Sequence, residues 1–231
     1  MKQFYKDYVQ YQYKNYINID FSNKCILQRV YCQRQLPDSK NKIHTSRDMP
    51  FDDFQKILQV YSSISLCGQI SDPIYHPHFL KYLRYASDNN IKININTNGS
   101  GKKKQFWKEA FSIPYPIRWI FGIDGLDQKT CNLHRIGQNF HQSFKAMLLG
   151  SQSHHRIIWQ FIPFQHNEHQ IERAKDIAHK HNIQFMILKS NRWSNRTVVI
   201  NNKHTTLDWI LPPSNKHLKS TSRYNVKREY M

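Results

Sequence analysis

Cys25 and Cys32 are the two residues of this sequence whose type and spacing best suit chemistry. Only four cysteines exist, the others being Cys67 and Cys131, and six residues separate the close pair. In a chain of this size such a pair points first to metal or redox work, with the thiolate as ligand. Two thiolates are too few for a closed zinc site and the gap is wide for a zinc knuckle, although His44 offers a further nitrogen. Cys67 and Cys131 suit ordinary buried thiols better than ligands. The other candidates are polar side chains and glycines in short clusters: Gly68-Gln69, Asn96-Thr97-Asn98-Gly99, Asp124-Gly125, His134-Arg135 and Gln160. Glycine lets backbone approach a ligand closely, and amides and carboxylates supply its hydrogen bonds. The thirteen histidines are scattered, with no spacing that marks ligands.

These clusters need elements to position them. Apolar residues alternate over 17–21, 63–67, 91–95, 117–123, 156–162 and 183–188, which predicts six strands. Helical spacing between them predicts helices carrying Phe54, Ile57, Leu58 and Tyr61, then Phe79, Leu80, Leu83 and Ala86. A short helix is expected over 105–111, then one with Phe140, Phe144, Met147 and Leu148, and one with Ile171, Ala174, Ile177 and Ala178. Alternating strands and helices imply a mostly parallel sheet with right-handed crossovers. Periodicity alone does not decide between a barrel and an open doubly wound sheet. In both, ligand groups belong at the C-terminal ends of the strands, and the polar clusters fall at those ends in successive order.

At 231 residues the chain suits one domain, or one domain and a tail. We expect a domain over 1–190 and a basic C-terminal cap or tail over 191–231, with a possible strand at 197–200. The apolar fraction of 39% is that of a globular protein. A net charge of +18 favours nucleic acid, nucleotides or anionic peptides, or else reflects a lysine-rich coding bias. Eight of the 34 Lys and Arg lie beyond residue 189, so most of the excess belongs to the main domain. No run of eighteen apolar residues occurs and the first residues lack the apolar core of a signal peptide, so the cytoplasm is expected.

The ordered motifs resemble the radical S-adenosylmethionine (SAM) superfamily, whose first strand leads into a Cys-x3-Cys-x2-Cys loop. Cys25 and Cys32 match the first and third cysteines, Tyr31 is the aromatic before the last, and Arg29 stands at the middle position. Cys67-Gly68-Gln69, followed by Asp72-Pro73, is similar to the family's Gly-Gly-Glu-like segment that holds the SAM amino group. Thr97-Asn98-Gly99, Asp124-Gly125 and Arg135 match later landmarks, over roughly residues 15–190. The resemblance implies a partial (β/α)6 TIM-like barrel. It implies SAM contacts by Tyr31, Gly68, Gln69, Asn96, Asn98, Asp124, Arg135 and Gln160, and a [4Fe–4S] cluster on Cys25 and Cys32. In the family the cluster leaves one iron open for the amino and carboxylate groups of SAM. Reductive cleavage then gives a 5′-deoxyadenosyl radical that acts on a substrate, here unassigned, with electrons usually from a flavodoxin-like partner.

Arg29 departs from this pattern, because a guanidinium stays protonated and has no lone pair for iron. Three explanations stay open on the sequence: a change in an otherwise active lineage, a non-catalytic protein that binds a nucleotide or nucleic acid, or Cys67 serving as third ligand. No cysteine follows residue 131, so the tail carries no auxiliary cluster.

Overall fold

The computed structural model describes residues 15–29, 32–35, 47–66, 70–188, 197–200, 203–206 and 210–218. Six strands build one sheet: β1 (Tyr16–Asn18), β2 (Ser63–Leu66), β3 (Lys92–Thr97), β4 (Ile117–Gly122), β5 (Arg156–Phe161) and β6 (Gln184–Ile187). They lie in sequence order, every neighbouring pair parallel, and the sheet is not closed. That unbroken order is the partial TIM-like form and excludes a doubly wound sheet, in which the order reverses.

The helices are α1 (Phe51–Val60), α2 (Phe79–Asp88), α3 (Lys104–Phe111), α4 (Gln128–His134), α5 (Phe140–Gly150) and α6 (Ile171–Lys180). Asp127 caps α4 by accepting from Thr130 N at 2.7 Å, and Asn139 caps α5 by accepting from Gln142 N at 3.0 Å. Each cap satisfies one of the four N–H groups a helix start leaves open. α4 was not expected from the sequence; only Cys131 and His134 are buried along it, too few to set up a helical period. Among the described residues no helix is long and apolar enough to cross a membrane.

The core lies between the helices and one face of the sheet. In β3, Ile93, Ile95 and Thr97 are buried while Asn94 and Asn96 are half-buried on the opposite face. The same alternation buries Trp119 and Phe121 of β4 and Trp159 and Phe161 of β5. Phe54, Phe79, Trp107 and Met147 of the helices close over them. Burial of each such side chain contributes about 1.5–3 kcal/mol.

Beyond β6, β7 (Thr197–Ile200) and β8 (Lys203–Thr206) form an antiparallel hairpin, and β7 runs beside the 3-10 turn Gln33–Gln35. The segment 210–218 returns to the loop between β5 and α6. Ile210 is buried, Gln165 N donates to Leu211 O at 3.1 Å, and the Glu168 carboxylate accepts from Ser214 N and Asn215 N.

Trp159 ties the sheet face to a loop: its ring packs edge-on against Phe144 and Phe185, and Nε1 donates to Ile123 O at 2.8 Å. Replacement Trp159→Ala is expected to lower unfolding free energy by about 3–5 kcal/mol, measured by urea unfolding with the m-value unchanged.

Candidate functional site

The loop after β1 is fastened to the end of β2 by groups other than its cysteines. Arg34 is buried and donates to the carbonyls of Asn23 and Ile70. Asp20 accepts from Ser71 Oγ at 2.7 Å, and Asp72 N donates to Lys24 O at 2.9 Å. On the far side Gln28 N donates to Ile136 O at 2.9 Å and Leu27 is buried, so the loop spans from β2 to the segment after α4.

Asp72 organises this half. It caps the 3-10 turn Pro73–Tyr75, and its Oδ2 accepts from Asn98 N at 2.6 Å, Asn98 Nδ2 at 2.5 Å and Thr97 Oγ1 at 3.1 Å. Asn98 Oδ1 accepts in turn from Ser100 N at 2.8 Å, so its side chain braces the turn at the end of β3. Gly99 follows with φ +74°, a conformation that glycine adopts without strain. Burial pushes the Asp72 carboxyl up to about 6, against the lowering effect of the Asn98, Thr97 and Ile74 donors and of Arg29. Burial, then the charge of Asp72, pushes the Cys25 thiol up to about 11, so at neutral pH it keeps its proton. Cys25 is half-buried and Cys32 is buried, with Cys32 N donating to Arg29 O at 3.1 Å.

The second half is built on Asp124. Its carboxylate accepts from Arg135 Nε at 2.7 Å and Ile162 N at 2.9 Å, and lies 2.7 Å from His134 Nδ1. All three side chains are buried. Burial works to raise the Asp124 carboxyl, but the Arg135 charge and the His134 hydrogen bond and charge hold it well below the usual carboxylate range. Asn167 Nδ2 donates to the carbonyls of Asp124 and Ile162, at 2.9 and 3.0 Å. The Arg135 guanidinium lies across Gly122, where a Cβ would stand 2.5 Å from Nη2, so no larger residue fits there.

Gly122 is paired in register with Gln160, and Asn96 with Ile120, on the sheet face opposite the helices. Asn96, Gly122, Asp124, Arg135 and Gln160 therefore gather at one rim. Cys25, Cys32 and Asn98 gather at its neighbouring stretch, and Gln138 Nε2 joins the two by donating to Asn98 O at 2.8 Å and Gly122 O at 2.9 Å. Arg135 sits at the C-terminal cap of α4, not at a helix start. Of the expected site residues, Tyr31, Gly68 and Gln69 lie outside the described residues, as do Cys67 and His44. Asp72 and Gln138 were not among the expected site residues. Asp72-Pro73 carried a turn-capping signal, while nothing local marks Gln138, whose partners lie up to 40 residues away.

Among the described residues no three His, Cys, Asp or Glu stand together as metal ligands. Among the described residues, two thiols with an Arg between them in sequence do not fit a cluster that needs three thiolates.

The Asp124 pair has a pH signature. Its folded-state pKa lies below the unfolded value, so its stabilisation is present above the ordinary aspartate pKa and is lost as pH falls towards the folded value. Asp124→Asn, which leaves Arg135 buried without its anion, is expected to cost about 3–5 kcal/mol at pH 7. Urea midpoints from pH 7 to 3 should drop more steeply for the natural chain than for this variant.

No protein-family model and no curated protein matches the chain. Solved structures do. Streptococcus suis SuiB bound to S-adenosylmethionine superposes with a TM-score of 0.62 at 18% identity, over 80% of this chain and 44% of SuiB. Methylornithine synthase (PylB) gives 0.54 at 13% identity over 92% of this chain and 58% of PylB. The protein anSMEcpe with bound AdoMet gives 0.54 at 14% identity, over 78% and 54%. This chain thus spans less than half of SuiB, and at these identities the likeness is one of fold. These neighbours are radical SAM enzymes, and the open six-stranded parallel sheet of this chain is the fold they share.

Proposed function

We propose that the rim at the C-terminal strand ends binds S-adenosylmethionine. The observation that carries this reading is the gathering of Asn96, Arg135 and Gln160 on one sheet face around Gly122. It occurs in a fold that SuiB and anSMEcpe use with SAM bound. Asn96 and Gln160 offer amide donors and acceptors to the polar edges of a nucleoside, and Gly122 leaves room for the Arg135 guanidinium beside them. Asp124 fixes the Arg135 guanidinium by its hydrogen bond to Nε, so it orients that cation for the ligand instead of meeting the ligand itself.

Radical SAM chemistry is the reaction class we assign to this scaffold, and among the described residues only Cys25 and Cys32 stand in the loop where an iron–sulfur centre would need three thiolates. The net charge of +18 favours a substrate or partner that carries negative charge. SuiB is bound to the precursor peptide SuiA and anSMEcpe to the Kp18Cys peptide, which supports a peptide as the substrate class.

Equilibrium dialysis should show SAM binding by the natural chain, weakened about five- to tenfold by Asn96→Ala or Gln160→Ala, the effect of one hydrogen bond. Absence of binding overturns the proposal. Anaerobic reconstitution with iron and sulfide separates its two parts. The natural chain should hold no four-iron cluster, whereas Arg29→Cys should gain one by iron count and spectroscopy and release 5′-deoxyadenosine from SAM. A cluster in the natural chain would mean that another ligand, with Cys67 the first to mutate, completes the set.

A further inference from the structure

Arg29 stands where the motif calls for the middle thiolate, and its backbone is fixed on both sides. Its carbonyl accepts from Cys32 N at 3.1 Å, and the preceding residue donates to Ile136 O at 2.9 Å. The side chain is half-buried and its charge reaches both Cys25 and Asp72, lowering the pKa of each. Yet among the described residues the guanidinium forms no ion pair and no hydrogen bond. Asp72 does not take it, because its carboxylate is turned to Asn98 and Thr97. The other cations of the loop are engaged, Lys24 with Asp48 at 2.5 Å and Arg34 with two carbonyls. A partly desolvated cation without a counter-ion is costly, and a planar guanidinium matches a carboxylate with two parallel hydrogen bonds.

We propose that Arg29 binds the α-carboxylate of the ligand's amino-acid arm, the group that an open iron would hold in a complete motif. The inference rests on the SAM-binding reading above and adds which end of the ligand this loop recognises. It makes the chain a receptor for adenosyl amino acids that needs no metal.

The test uses the full chain without added iron. Calorimetric titration compares S-adenosylhomocysteine with methylthioadenosine, which share the nucleoside and the sulfur but differ in the amino-acid arm. The natural chain should favour S-adenosylhomocysteine by about tenfold or more, the effect of a charge-assisted bond. Arg29→Ala should remove most of that preference while leaving methylthioadenosine affinity unchanged, and Arg29→Lys should recover part of it. A preference that survives Arg29→Ala overturns the assignment. Equal affinity of the natural chain for both ligands also overturns it while the nucleoside reading stands. Failure of both ligands to bind the natural chain overturns the two together.

Discussion

Six parallel strands that follow one another without a reversal leave the chain only one kind of return, a right-handed crossover over the same face. Every strand then opens its C-terminal end on one edge, while the helices fill the other face with Phe54, Phe79, Trp107 and Met147. This constraint brings Cys25, Asp72, Asn98, Asp124 and Gln160 together although they span more than 130 residues of sequence. It also creates a difficulty, since many polar groups converge where water is scarce and each must find a partner. Asp72 and Asp124 answer that difficulty by each accepting several donors.

The two carboxylates answer it differently. Asp124 meets a guanidinium directly, so it stays ionised despite burial and the ends of β4, β5 and α4 are locked to one point. Asp72 meets only neutral donors, and burial wins, raising its carboxyl to about 6. One half of the rim is thus internally neutralised. The other keeps a cation, Arg29, with no hydrogen-bond or ion-pair partner among the described residues, beside a carboxylate that hydrogen bonds have turned away. Gln138 bridges the halves through the carbonyls of Asn98 and Gly122, so a shift at one turn is transmitted to the other.

Period-two alternation identified all six strands, because buried strand faces force it, and β3 shows it cleanly through Ile93, Ile95 and Thr97. β1 is shorter than its alternation suggests. Ile19 still donates to Ser65 O, but Phe21 leaves the ladder to stack on His76 at 4.7 Å. The strand at Thr197–Ile200 was visible as an apolar run, whereas its partner Lys203–Thr206 has no such pattern. Within the site, motif order pointed to Asp124 and Asn98 but not to what they do. Their partners, Arg135 and Asp72, lie 11 and 26 residues away, and only folding sets those pairs. The caps Asp127 and Asn139 were not read from the sequence, and α4 buries too few residues to announce itself.

The loop that carries Cys25 and Cys32 concentrates positive charge. From Phe21 to Gln35 the sequence holds Lys24, Arg29 and Arg34 and no carboxylate. A loop that surrounds an anionic cluster tolerates such charge, and a loop without one must disperse it. Arg34 gives its protons to the carbonyls of Asn23 and Ile70, and Lys24 reaches Asp48. Leu27 is buried, and Gln28 and Asp72 complete the backbone anchors on either side. One further contact uses a cysteine sulfur, Leu27 N donating to Cys25 Sγ at 3.4 Å. Arg29 stands in that loop without a hydrogen-bond or ion-pair partner among the described residues, held in place by the backbone bonds on either side of it.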